Sequence, residues 1–186
     1  MNMVRIAAAS FAILAASAIG AHAADSSAPP PVGTEPQNTS ATYGDWMLRC
    51  ARNGDGPQAV RVCEVQQQFQ VNAQGQSQPF AQLAIGHASP KDPLHVTFIV
   101  SPNVAFPSDV RLTSDDKDMQ PVVLNWSTCV PAACRADGEL KDDQLKRWKA
   151  LAANGHLTFK ASTGKDFPIT ISVRGLAQAL DALPKS

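Results

Sequence analysis

The chain has 186 residues, with 16 basic and 16 acidic side chains. Such a balance produces no long-range field to gather nucleic acid or an anionic membrane surface, so both classes of partner are set aside. Charged residues make up 17% of the chain, below the roughly 25% usual for soluble domains, and uncharged polar residues and alanine take their place.

Met1 to Arg5 is a short segment with one positive charge, Ile6 to Gly20 is apolar and uncharged, and Ala21-His22-Ala23 puts small residues where a signal peptidase reads. The apolar run is too short for a hydrocarbon core of ~30 Å, and no second one follows it. Residues 1–23 are therefore expected to be a cleaved export signal. The mature chain would begin at Ala24, without a transmembrane segment, and be periplasmic or secreted. No cysteine sits at the cleavage site to take a lipid. The mature chain would hold 15 basic against 16 acidic residues, Arg5 being lost with the signal.

Residues 24–41 contain Pro29-Pro30-Pro31 and small polar residues but no large aromatic side chain. They read as a disordered spacer, with a PxxP-type docking segment as the alternative. A single domain is expected over 42–186. Its first strand holds Trp46, Leu48 and Cys50, and the turn cluster Asn53-Gly54-Asp55-Gly56-Pro57 leads to a second strand over Val60 to Val65. Asn72 to Gln78 reads as a polar loop. Phe80 to Ile85, Leu94 to Val100 and Val122 to Trp126 are further strands of alternating pattern. From about Lys141 to Asn154 the period changes: Leu145, Trp148, Leu151 and Ala152 fall on one helical stripe. Asp142 or Asp143 is the expected cap, and Gly155 the stop. Strands over Leu157 to Ala161 and Ile169 to Arg174 and a helical turn over Leu176 to Leu183 close the chain. The expected fold is mainly β, a sandwich or open barrel of about eight strands carrying one packed helix.

All four cysteines lie in the mature part: Cys50, Cys63, Cys129 and Cys134. In an exported chain an even count reads as disulfides. Sequence proximity favours Cys50 with Cys63 and Cys129 with Cys134 over the two crossed pairings, and neither spacing is the tight one of a zinc site. A search for chemistry finds no nucleophile elbow, phosphate-binding loop or zinc-protease motif. His87, His95 and His156 stand singly. Asp115, Asp116 and Asp118 lack the spacing of a calcium loop. Trp46, Trp126 and Trp148 are spaced as core residues. No catalytic, cofactor-binding or metal-binding residue is assigned, and no cofactor is expected.

Several segments together are similar to a known family. They are Gly44-Asp45-Trp46 followed by Cys50, Val62-Cys63-Glu64-Val65-Gln66, Phe106-Pro107-Ser108-Asp109-Val110-Arg111-Leu112, Trp126 through Cys134, and a strand running into Arg174-Gly175-Leu176. Over residues 43 to 184 their order and spacing resemble the invasion-associated locus B family of exported proteins from Gram-negative bacteria. Ala133 before Cys134 and Leu176 after Gly175 depart from the family pattern. The resemblance implies a periplasmic or surface protein, linked in pathogenic members to host-cell invasion, and brings no catalytic residues. The expected function is a non-enzymatic interaction protein of the envelope with an unidentified protein partner there or on a host cell. A small periplasmic hydrolase or thiol-redox enzyme is the alternative, resting on Cys129 and Cys134.

Overall fold

The computed structural model describes residues 36–184 apart from residues 55 and 90; the expected export signal and most of the expected spacer lie outside the described residues. Among the described residues there are ten strands: β1 Asn38–Tyr43, β2 Trp46–Asn53, β3 Val60–Ala73, β4 Gln76–His87, β5 Leu94–Val100, β6 Asp109–Thr113, β7 Val122–Val130, β8 Ala133–Glu139, β9 Gly155–Lys160 and β10 Asp166–Ile171. Two short helices accompany them, α1 Asp142–Ala150 and α2 Leu176–Asp181. The strands form one sheet in the order β1-β2-β3-β4-β5-β8-β7-β6-β9-β10. All its pairings are antiparallel.

The alternating pattern decides which face is buried. Along β5, Val96, Phe98 and Val100 are buried while His95, Thr97 and Ile99 are only partly covered. The same face continues through Val65, Leu83, Ala136, Leu124, Leu112, Leu157 and Ile171 on the neighbouring strands. A single apolar face has to find something to pack on, and the sheet meets this need by curling. The rings of Phe98 on β5 and Phe159 on β9 stand 5.6 Å apart, and those of Phe80 on β4 and Phe167 on β10 stand 5.9 Å apart. These strands are not neighbours in the sheet, so its two halves face each other across one core. The result is neither two separate sheets nor a closed barrel, because β1 and β10 do not pair.

α1 covers part of this core with Trp148, which is 3% exposed. Gly155 is not the helix stop expected of it. α1 ends at Ala150, and Gly155 opens β9 directly beneath the indole, where a Cβ would lie 2.6 Å from the Trp148 ring. The helix start also differs from expectation: Lys141 is the capping residue, and its N–H donates to Gln144 Oε1 at 3.1 Å. Leu176, Ala179 and Leu180 of α2 are buried against the same core.

Three strands were not legible as such. β1 takes in Asn38–Ala41, which the sequence reading gave to the spacer, β6 is only five residues long with Val110 and Leu112 on its buried face, and β8 carries only Cys134 and Ala136 on its buried face. β3 and β4 are also longer than expected, since the loop read over Asn72 to Gln78 shrinks to a tight turn. Gln74 and Gly75 both take positive φ there, the conformation a two-residue hairpin needs.

The two cysteine pairs favoured by proximity stand at disulfide distance, Cys50 with Cys63 and Cys129 with Cys134, each with Cα–Cα of 4.0 Å. The register explains the first. The Arg52 N–H donates to Gln37 O, which makes residues 37 and 52 a hydrogen-bonded pair. Alternation then places the 39–50, 41–48 and 43–46 pairs in the same class. The groups of Cys50 therefore point toward β1, and Cys50 and Cys63 form a non-hydrogen-bonded pair of β2 and β3. Opposed Cα atoms approach most closely at such pairs, about 4.5 Å, which suits a bridge.

Candidate interaction surface

The family-like segments at the two ends of the domain meet in space. The β1–β2 turn, Gly44-Asp45, docks on the turn Arg174-Gly175. Asp45 N–H donates to Arg174 O at 3.0 Å, and the Arg174 guanidinium holds both oxygens of the Asp45 carboxylate. Ser172 Oγ donates to Asp45 Oδ2 at 2.6 Å. The approach is close enough to demand both glycines. Gly44 and Gly175 have φ of +57° and +87°, and a Cβ on Gly175 would come within 1.9 Å of Tyr43 O. Deeper in, the Trp46 indole donates to Ser172 O at 2.7 Å, and Ser172 N–H donates to Gln67 Oε1 at 3.1 Å. The hydrogen bonds from Arg174 and then Ser172 hold the Asp45 carboxyl at about 2, well below its ordinary value, and the carboxylate in turn raises Arg174. This clasp is a structural device, built entirely from groups that satisfy each other.

The surface without such internal satisfaction is aromatic. Trp126 on β7 is partly buried, and its ring stands 6.4 Å from both Phe98 and Phe159. Phe106, in the connection between β5 and β6, stacks edge-on against Trp126 at 6.0 Å. On the other side Phe159 meets Phe167 at 5.3 Å, and Phe167 meets Phe80. Among the described residues every phenylalanine except Phe69 belongs to this train of rings. It begins in the core at Phe98 and emerges at Phe106, 59% exposed, and Phe167, 39% exposed. Phe106 is held out by a well-tied segment. Ala105 N–H donates to Lys160 O at 2.9 Å, Ser108 Oγ donates to Ala105 O at 2.5 Å, and the Trp126 indole donates to Ser108 Oγ at 3.3 Å. A fixed, exposed ring backed by a rigid aromatic stack has the character of an interface anchor, because little conformational entropy is left to lose on contact.

The opposite face of the sheet carries a depression of about 490 Å³ over β2, β3, β4, β5 and β8. Ala84 and Gly86 lie at its floor, with Arg49, Glu64, His95 and Asp137 around it. Asp137 is the hub. It accepts from Thr97 at 2.9 Å, Ser127 at 2.6 Å and Arg135 at 2.8 Å. Burial pushes its carboxyl up, and these hydrogen bonds outweigh burial and hold it below the ordinary value.

The remaining sequence candidates stay apart. His87 Nδ1 lies 2.7 Å from Asp92 O, His87 and His95 both line the depression, and His156 Nε2 lies 3.5 Å from Asp115. Asp116 pairs with Arg147 and accepts the Asp118 N–H, forming a turn. Among the described residues no group of His, Cys, Asp and Glu is arranged to hold a metal ion. Trp46 and Trp148 are core residues, as their spacing predicts, whereas Trp126 is only partly so. Phe106 was missed by sequence reasoning. Its one signal is a large apolar residue directly before proline in a segment without alternation.

A single curled antiparallel sheet, stapled twice by cross-strand cysteine pairs and clasped where its first hairpin meets its last turn, defines a β-domain class. The family model described as Invasion associated locus B (IalB) protein matches residues 46–184, and the chain belongs to that family. In fold it is similar to the crystal structure of invasion associated protein b from Bartonella henselae. The TM-score is 0.59 at 20% identity, over 77% of this chain and 94% of the other. No curated protein matches it in sequence.

Proposed function

We propose that this chain is an exported, non-enzymatic interaction protein of the cell envelope or cell surface, which binds a protein partner there or on a host cell. The observation that carries the reading is the exposed aromatic surface centred on Phe106 and Phe167, fixed by the rings beneath it. Exposed rings of this kind on a small domain mark sites of association. Export is supported by the N-terminal sequence, by two cysteine pairs at disulfide distance, and by a described region in which no helix is long and apolar enough to cross a membrane. Family membership and the name of the Bartonella protein are the grounds for including invasion beside envelope maintenance.

The test is capture of partners from intact cells, with and without host material, by the tagged protein and by Phe106→Ser and Phe167→Ser variants. The reading expects partner recovery to fall about tenfold or more in the variants, the effect of losing a binding anchor, while the melting curve stays native. Undiminished recovery by both folded variants contradicts it. Recovery of envelope components alone assigns the role to the envelope and removes invasion.

A further inference from the structure

We propose that the β1 edge of the sheet is a strand-addition site whose occupant is a second copy of this chain. The two copies would pair antiparallel through Asn38–Tyr43 about a two-fold axis at Ser40. This does not depend on the aromatic surface, and β1 precedes the residues matched by the family model.

The register fixes which groups are free. Thr39, Ala41 and Tyr43 exchange hydrogen bonds with β2, so the N–H and C=O groups of Asn38, Ser40 and Thr42 point away from the sheet. All three residues are exposed, and among the described residues nothing pairs with that side of the strand. A sheet edge is ordinarily guarded against association by a charge, a proline, a bulge or a cover. β1 has none of the first three: its sequence is Asn-Thr-Ser-Ala-Thr-Tyr, and it pairs with β2 in unbroken register. The contrast is β10. Pro168 occupies an outward position of that strand, where no N–H is then offered. Just beyond the strand the Ser172 N–H and C=O are taken by Gln67 and Trp46.

Two features select a second copy as the occupant. Antiparallel self-pairing sets Ser40 against its own copy and Asn38 against Thr42, so each outward N–H and C=O finds a partner. Residues 36–44 carry no charge, and a two-fold axis therefore brings no like charges together. The outward side chains are small and polar and offer no apolar pocket of the kind that gives peptide-binding edges their specificity. The balanced net charge leaves no general repulsion between copies.

The experiment is sedimentation analysis of the purified protein, as processed by the cell that makes it, with hydrogen exchange followed amide by amide. Two variants accompany it. Ser40→Pro removes an outward N–H that β2 does not use, and Ser40→Lys places two ammonium groups face to face. The parent is expected to sediment as a dimer, with Asn38, Ser40 and Thr42 amides protected only when concentrated. Each variant should raise the dissociation constant about tenfold or more at a native melting temperature. If Ser40→Pro fails to fold, Ser40→Lys decides. A parent that stays monomeric with fast-exchanging edge amides overturns the proposal. So does protection in the monomer, which assigns the edge to the chain's own N-terminal residues, and so does a dimer that survives the folded variants.

Discussion

The two margins of the sheet solve the same problem differently. The margin at β10 is guarded at two places, Pro168 and Ser172. Pro168 presents no donor, Trp46 and Gln67 take up the backbone groups of Ser172, and the Asp45–Arg174 pair locks the turn that follows. At the margin of β1 no described residue pairs with the outward backbone groups of Asn38, Ser40 and Thr42. Protection by side chains needs partners delivered from far along the chain. Ser172 and Asp45 are 127 residues apart, and the curl of the sheet is what brings them together. The curl also explains why the fold stops short of a barrel: the far margin meets side chains of β2 and β3 instead of the backbone of β1.

The strongest way to break the contrast is to remove the side chain that guards the β10 margin at Ser172. Trp46 is 1% exposed, and Trp46→Ala should cost about 3–5 kcal/mol in denaturant unfolding, the range for deleting a buried large aromatic. A loss below about 1 kcal/mol would mean that the indole does not guard this margin. Next in size is the staple behind β1. Replacing Cys50 and Cys63 with serine opens a loop of sequence separation 13, which corresponds to about 3 kcal/mol in the chain-entropy account. An unchanged melting curve contradicts that role.

Gln67→Leu is a subtler probe. It keeps the volume of a side chain that is 6% exposed but strands the Ser172 N–H, at a cost of about 1–2 kcal/mol. Equal stability of the variant would show that water replaces the amide there.

The smallest effect is one of pH. Asp45 is held at about 2 in the folded chain against an ordinary 3.8, so its stabilising contribution is complete above about pH 4 and is lost as the pH falls through about 2. Asp45→Asn should therefore lie below the parent in melting temperature at neutral pH, with the gap narrowing over that acid window. A gap that stays constant to pH 2 shows that the carboxylate charge is not what secures the clasp.

Much of this was legible from local pattern. Strict alternation marked β5 and the last three residues of β10, which begins at Asp166 and ends before the expected Arg174, the helical stripe marked α1 and the burial of Trp148, and the spacing of cysteines marked both staples. What failed to show was set by residues far apart or by backbone alone. β1 is written in small polar residues and β8 in alanine and charged residues, because their stability comes from pairing with neighbours, not from a run of apolar side chains. Gly155 looks like a helix stop in sequence but serves as the flat floor under Trp148. The family-like Gly44-Asp45-Trp46 and Arg174-Gly175-Leu176 segments were each visible, yet nothing in either names the other as its partner. Phe106 was hidden for the opposite reason: an exposed ring carries no periodicity, and its place in the aromatic train follows only from the curl.

The difference between the margins is tested most directly by hydrogen exchange in dilute solution, quenched and read amide by amide. Ser172, bonded to the buried Gln67 side chain, should exchange slowly, and Thr39 and Ala41, bonded to β2, should also be protected. Asn38, Ser40 and Thr42 should exchange near the rate of an unstructured chain. Ser172 exchanging as fast as Ser40, or Ser40 as slowly as Ala41 in the dilute monomer, would contradict the account of one guarded and one unguarded margin.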